Sequence, residues 1–446
     1  MLPAKKSNLE VARKIGFGDD VRFTVLPASG LGLRSLVSGL RAARGVLALL
    51  FVVPLFPLVA AESPRTTGSP FLHAWRSEDY GASPVNWRIE QHPTTGYIYA
   101  TNNLGVLEFD GAAWRLIPLP HGGAARALVI DPAGTIWVGG VGELATLVHA
   151  VTGELEAVDQ TGRVLAALGK DLRAAAPAAD AGDDDAGDNL NAASRLGSLN
   201  RAVATPEGVV FRAPDALAQF SLTGALKIVP AKLRAGQLWW MDRALHVEEL
   251  TRGPRRIDEG RLLPAEPDAR INAFAAQLDP HGGWRLLSTR GPIRWAGPGH
   301  APVALEEGAE SMFRDEQPTC AVFLADGRSV YGTTRSGLIV FDRDGKFDRR
   351  VDRRQGLPGN RVNGLCVDRE GGVWLATPTG IVRVQLDSPF AAHGEAQGLA
   401  GGPRQLARVG DRLYVTHGEG FAWRADADGK FASVNGFRTG SHHVIR

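Results

Sequence analysis

His417 and Glu419 stand two residues apart in one turn, an imidazole and a carboxylate that could work as a general acid and base pair. An exposed loop pair is the commoner outcome of that spacing. The other histidines are scattered, and His442 and His443 fall in the last turn's length of chain, where a solvated tail is expected. Five aspartates lie between Ala174 and Asp188 and raise the question of calcium. The EF-hand order fails there, because Gly187 and Ser194 stand where an acid and a glutamate are needed. Cys320 and Cys366 each open an apolar run and read as small buried hydrophobes rather than as a disulfide. The chain has no Walker glycine loop, no G-x-G-x-x-G after a strand, no H-E-x-x-H and no G-x-S-x-G. No catalytic residue, cofactor or metal is therefore expected.

What the sequence does repeat is structural. Trp374 stands in Asp368-Arg-Glu-Gly-Gly-Val-Trp-Leu-Ala-Thr-Pro-Thr-Gly380, and weaker copies of that phrase align on Tyr99, Trp137, Phe211, Trp239, Trp284, Tyr331 and Tyr414. Glycine comes three residues before the aromatic at Gly96, Gly134, Gly208, Gly236 and Gly371, and six after it at Gly105, Gly337, Gly380 and Gly420. Asp-x-x-Gly is a turn signal, since aspartate caps its own backbone and glycine accepts positive φ. The apolar residues around each aromatic read as a short buried strand, and the later glycine closes a second turn before another apolar pair. Upstream lies one more apolar run, such as Ala127 to Ile130 or Gly364 to Val367. Each unit thus carries at least three antiparallel strands.

From Trp239 onward the aromatics are 45, 47, 43 and 40 residues apart, and the first interval, Tyr99 to Trp137, is 38. That period, with short strands and no long run of helical periodicity between Phe71 and Arg446, predicts an all-β fold, a β-propeller of four-stranded antiparallel blades. Seven repeats end near Phe390, and an eight-bladed ring closed by Phe71–Arg88 is the alternative. Between Trp137 and Phe211 the interval grows to 74 residues, which places a low-complexity insertion at about 166–198, expected to be a mobile loop.

The first 61 residues differ in kind. Gly45 to Ala61 is uncharged, follows Arg34, Arg41 and Arg44, and ends in small residues before Glu62. That order reads as a secretory signal inside a leader, 1–61, with a membrane anchor as the alternative. The leader holds eight Lys or Arg and three Asp or Glu, so the rest of the chain has 42 basic against 45 acidic residues. Such a balance offers no basic face and gives no ground for a nucleic-acid partner.

Gly356-Leu-Pro-Gly-Asn-Arg-Val-Asn-Gly-Leu-Cys-Val-Asp-Arg-Glu-Gly-Gly-Val-Trp-Leu-Ala-Thr-Pro-Thr-Gly-Ile-Val-Arg-Val384 resembles the two-component regulator propeller repeat, and Asn86 through Trp114 resembles the first blade of the same sensors. The resemblance covers most of Phe71 to Phe431. It implies a periplasmic propeller at 62–390, the sensory half of a bacterial histidine kinase or diguanylate cyclase. It also implies a small-molecule or oligosaccharide ligand, and dimerisation as in membrane sensors. Gly398 through Trp423 resembles the opening of a second ring, so 391–446 is expected to be the incomplete first blade of a second propeller; no kinase or cyclase motif is present, and the membrane is expected to be met only through the N-terminal segment. A secreted lyase or hydrolase of the streptogramin-lyase type is the alternative function.

In propellers the loop leading into the inner strand and the second turn of the motif usually return to the ligand face. By that analogy the candidate ligand-binding residues are Asn102 and Asn103 in the first blade, Glu143 in the second, then Arg290, Arg335, Asn360, Arg361 and Thr379.

Overall fold

A computed structural model describes residues 69–175, 196–213, 215–231, 237–249, 253–258, 261–266, 271–388, 390–394, 397–399, 402–410, 412–417, 420–425 and 430–434. All of them belong to one compact unit, Ser63–Arg446. The leader, the aspartate-rich run, Glu419 and the C-terminal histidines lie outside the described residues.

The repeated phrase becomes a four-stranded antiparallel sheet in which consecutive strands are neighbours. The motif itself explains the geometry. Asp368 Oδ1 accepts the backbone N–H groups of Glu370 and Gly372, at 3.0 and 2.7 Å, which closes the first turn. Its Oδ2 accepts the indole N–H of Trp374 at 2.8 Å and the Arg383 guanidinium at 2.6 Å. Asp131 treats Trp137 the same way, at 3.1 Å. The aspartate therefore serves both the turn and the buried ring's polar atom, as a buried indole requires. Gly380 opens the third strand at φ +143, and a Cβ there would run into the carbonyl oxygen of Trp75 on the outer strand, so only glycine fits.

Seven such sheets follow one another. Their first strands are Asn86–Gln91, Ala125–Ile130, Ala202–Thr205, Trp239–Met241, Ala273–Leu278, Pro318–Phe323 and Gly364–Val367. Each touches the next, and Gly364–Val367 touches Asn86–Gln91, so the inner strands form a closed cycle around a central channel. We number the blades in that order. The ring is locked by Ser69–Trp75, which pairs antiparallel with Gly380–Gln385 and completes the seventh sheet from the N-terminal side of the chain. Ala391–Ala392 then pairs with Ser69 and Pro70. The segment Phe71–Arg88 accordingly splits between the last blade and the first. Trp75 stacks on Trp374 with centroids 5.0 Å apart and planes 7° from parallel, in a cluster with Phe109 and Trp114 that seals the seam. The buried hydrophobics otherwise pack between neighbouring sheets, as in the cluster joining Val129 and Trp137 to Phe211 and Phe220.

Three expectations need correction. Trp239 opens the first strand of its blade, where it pairs with His246 of the second strand; the aromatic phrase aligned there is one strand out of step. This accounts for the short interval after Phe211. Second, Thr161–Ala175 is an α-helix, so the segment expected to be an insertion from about 166 begins as regular structure. Val164 and Leu168 on that helix are buried in the cluster of Trp137 and Phe220. Third, His417 is buried at the end of strand Arg412–His417, not an exposed loop residue. That strand belongs to a further four-stranded sheet, Pro403–Val409, Arg412–His417, Gly420–Ala425 and Ala432–Ser433, outside the cycle of seven. Both cysteines are free and buried.

Candidate functional site

Each inner strand starts at the same end of the channel, and its first residues surround a cavity of about 600 Å³. The local structure there is irregular in a repeated way. The pairing of first and second strands slips between Asn86 and Ile89, between Ala125 and Ala127, and between Pro318 and Cys320. These are β-bulges, in which an extra residue leaves the ladder and its side chain is re-aimed. The residues released are Trp87 and Arg88, Arg126, and Thr319, and all four line the cavity. Asn200 and Arg201 of blade 3, Gln237 of blade 4, Asn272 of blade 5 and Asn363 of blade 7 reach it from the loops leading into their strands.

Four arginines face this space: Arg88, Arg126, Arg201 and Arg361. No His, Asp or Glu lines it among the described residues. The Arg126 guanidinium sits over the Trp87 ring, 3.9 Å from its centroid, and the indole N–H of Trp87 donates to Asn103 Oδ1 at 2.9 Å. Arg88 Nη1 donates to the Asn363 carbonyl at 3.0 Å, and Asn363 Nδ2 donates to the Asn86 carbonyl at 2.7 Å. These bonds stitch blade 7 to blade 1 at the floor of the site. Arg361 Nε donates to Asn363 Oδ1 at 3.0 Å, and Arg201 Nη1 to the Asn200 carbonyl at 3.0 Å. Arg201 Nε is buried without a partner.

Burial holds the Arg88 guanidinium below its ordinary pKa, with Glu90 pulling the other way. Arg201 is lowered to about 9, first by burial and then by the like charges of Arg88 and Arg212. Positive charge is thus crowded at the waist of the channel. Below the waist a second cavity shares Arg88, Arg201, Gln237 and Thr319 with the first and contains Glu90. Burial raises the Glu90 carboxyl to about 7 although Arg88 opposes the shift.

Of the residues nominated from the sequence, Arg361 lines the cavity. Asn103 stands one hydrogen bond behind it, holding Trp87. Asn102 is fully buried; its Nδ2 donates to the Ser83 carbonyl at 2.6 Å and to Asn86 Oδ1 at 2.9 Å, fixing the loop that leads into blade 1. Glu143 is also buried and accepts the N–H groups of His121 and Gly123, at 3.0 and 2.7 Å, which fixes the loop leading to Arg126. Asn360 Oδ1 caps the Arg353 N–H at 3.0 Å. Arg290 points outward near Glu310, 3.9 Å away, and Arg335 and Thr379 are exposed outside the cavity. In blades 5 and 6 the preceding residues, Thr289 and Thr334, reach the site instead. Of the nominated second-turn polar groups, Asn102 and Glu143 hold lead-in loops, Asn103 holds Trp87, and Arg290, Arg335 and Thr379 face away from the cavity.

The missed residues had a signal in the spacing. Arg88, Arg126 and Asn363 each stand eleven residues before Tyr99, Trp137 and Trp374, and Asn272 and Thr319 stand twelve before Trp284 and Tyr331. Among the described residues, no cluster of three or more His, Cys, Asp or Glu could hold a metal ion, and no helix is long and apolar enough to cross a membrane.

Fold and site together define a β-propeller with a polar, cationic channel mouth. Residues 356–379 match the family described as two component regulator propeller, so the chain carries that family's repeat. The extracellular domain of a hybrid two component system from B. thetaiotaomicron is similar in fold, with TM-score 0.54 and 13% identity over 82% of this chain and 49% of that one. A second such domain from B. thetaiotaomicron gives TM-score 0.49 and 15% identity over 84% of this chain and 48% of that one. Streptogramin B lyase gives TM-score 0.49 and 12% identity over 72% of this chain and 99% of the lyase. The chain spans about half the length of the two extracellular domains. No curated protein matches the chain in sequence. At these identities the likeness is one of fold.

Proposed function

We propose that this chain is the extracytoplasmic ligand-sensing propeller of a signalling protein, and that its ligand seats in the mouth of the central channel. The family repeat supports the signalling role, and the extracellular placement of the similar B. thetaiotaomicron domains supports export. The observation that carries the binding site is the convergence of residues on or just ahead of the inner strands of all seven blades on one cavity that, among the described residues, holds four arginines and neither histidine nor carboxylate. Such a lining grips a ligand through hydrogen bonds and charge, and it has no group of neutral pKa to exchange protons with it. A thermal-shift screen of saccharides, peptides and small acids tests the reading, because a ligand that binds the folded state raises the apparent melting temperature by mass action. The expected result is a stabilising compound recovered unchanged. Consumption of that compound overturns sensing.

Turnover has one specific observation in its favour. Glu90, titrating near 7 in the lower cavity, is placed to act as a base on anything that passes the waist. On that reading Glu90→Gln would abolish consumption and leave binding intact.

A further inference from the structure

The channel mouth is not symmetric. Its arginines come from four adjacent blades, with Arg361 from blade 7, Arg88 from blade 1, Arg126 from blade 2 and Arg201 from blade 3. Among the described residues, those that line it from blades 4, 5 and 6 carry no charge, and they include Gln237, Asn272, Thr289, Thr319 and Thr334. None of the four guanidinium groups has a carboxylate within ion-pair distance among the described residues, and the buried Nε of Arg201 has no partner. A cluster of unpaired like charges in a cavity costs free energy until an anion enters, and the planar guanidinium fork matches carboxylate and sulfate oxygens. Opposite it, carboxamides and hydroxyls offer both donors and acceptors, the complement of a polyhydroxylated molecule. Among the described residues, apolar lining is confined to Trp87, Val141 and Pro318, and Arg126 covers the face of Trp87. The site therefore offers no apolar pocket for peptide side chains.

Building on the sensing reading, we infer that the ligand is an acidic saccharide, seated with its carboxylate or sulfate groups on the arginines of blades 7, 1, 2 and 3 and its hydroxyls on the amides and hydroxyls of blades 4, 5 and 6.

Calorimetric titration of the full chain with trigalacturonate, its methyl ester and triglutamate tests this. Trigalacturonate should bind at least tenfold more tightly than either of the others. Arg126→Gln should lose most of that preference, and so should Arg361→Gln, each with a melting temperature close to that of the parent chain, which separates lost binding from lost folding. Asn272→Ala should weaken acid and ester by the same factor. The inference falls if the ester binds as well as the acid, if triglutamate binds more tightly, or if no saccharide binds. Mass spectrometry of the recovered trimer separates the two readings: unchanged trimer with no acid preference sinks the ligand class alone, whereas shortened or unsaturated trimer sinks sensing.

Discussion

The two sides of the channel mouth share one scaffold and differ in chemistry. Arg126 of blade 2 and Thr319 of blade 6 occupy the same kind of position, a bulged residue where the pairing of first and second strands slips. Arg126 brings a charge with no counterion among the described residues, and Thr319 brings a hydroxyl that donates to the Val362 carbonyl at 2.6 Å and ties blade 6 to blade 7. The backbone thus supplies like presentation points in different blades, and the chemistry of each is set by the residue that stands there. On the proposed reading, charge on one side selects the class of ligand and neutral polar groups on the other fix its orientation, because an ionic contact discriminates by more free energy than an amide or hydroxyl contact does.

Charge reversal on the arginine side is the strongest way to break this contrast. Arg126→Glu should cost trigalacturonate about a hundredfold in affinity, in keeping with ~2–5 kcal/mol for breaking a desolvated charge contact, while Thr289→Ala across the mouth should cost less than about tenfold. Titration calorimetry on both variants measures the ratio, and equal losses would erase the distinction between the two sides.

A pH series sharpens it further. Glu90 faces Arg88 and the Cys366 thiol, and its carboxyl is raised to about 7 from 4.5 by burial, against the pull of Arg88. As the pH falls from about 8 to about 6 it becomes neutral, and the arginines lose their nearest opposing charge. Saccharide carboxylates remain ionised over that range. Affinity for trigalacturonate should therefore rise several-fold on acidification, and Glu90→Gln should flatten the profile. The same shift has a stability consequence. Between about 4.5 and about 7 the folded chain holds a proton that the unfolded chain has lost, so this group's stabilising contribution is complete below that window and declines as the pH rises through it. Denaturant midpoints of the chain and of Glu90→Gln across the window check the sign.

The smallest effect should come from behind the site. Glu143→Gln keeps one of the two backbone hydrogen bonds that fix residues 121–123 ahead of Arg126. Affinity for trigalacturonate should fall only a few-fold, with about 1 kcal/mol lost from folding stability. A loss as large as that of Arg126→Glu would mean that Glu143 acts on the ligand directly.

Much of the fold was legible because the repeat is written in residues that act locally. Asp368 and Trp374 define a turn and a buried strand through contacts within the same hairpin, with Gly371 and Gly380 supplying the positive φ of the two turns, and weaker copies of the phrase recur in the other blades. Trp239 misled because an aromatic before a turn looks alike on a first or a second strand; pairing decides which it is, and pairing is not local. Thr161–Ala175 was hidden for a related reason, as its apolar face exists to cover a seam between blades 2 and 3. The site was legible only in outline. Knowing which face carries the loops led to Asn102, Asn103 and Glu143, but a turn residue that points inward and one that staples its neighbour have the same chemistry in sequence.

The sequence by itself determined the repeating unit, since glycines at positive φ, capping aspartates and apolar pairs act within a few residues of one another. The tertiary structure alone decided where the ring closes, with Ser69–Trp75 completing the sheet begun at Gly364. It alone also gathered Arg88, Arg126, Arg201 and Arg361 into one cavity. Bulges set the aim of Arg88 and Arg126, and ring closure sets which blades are neighbours and so brings Arg201 and Arg361 beside them from distant parts of the chain.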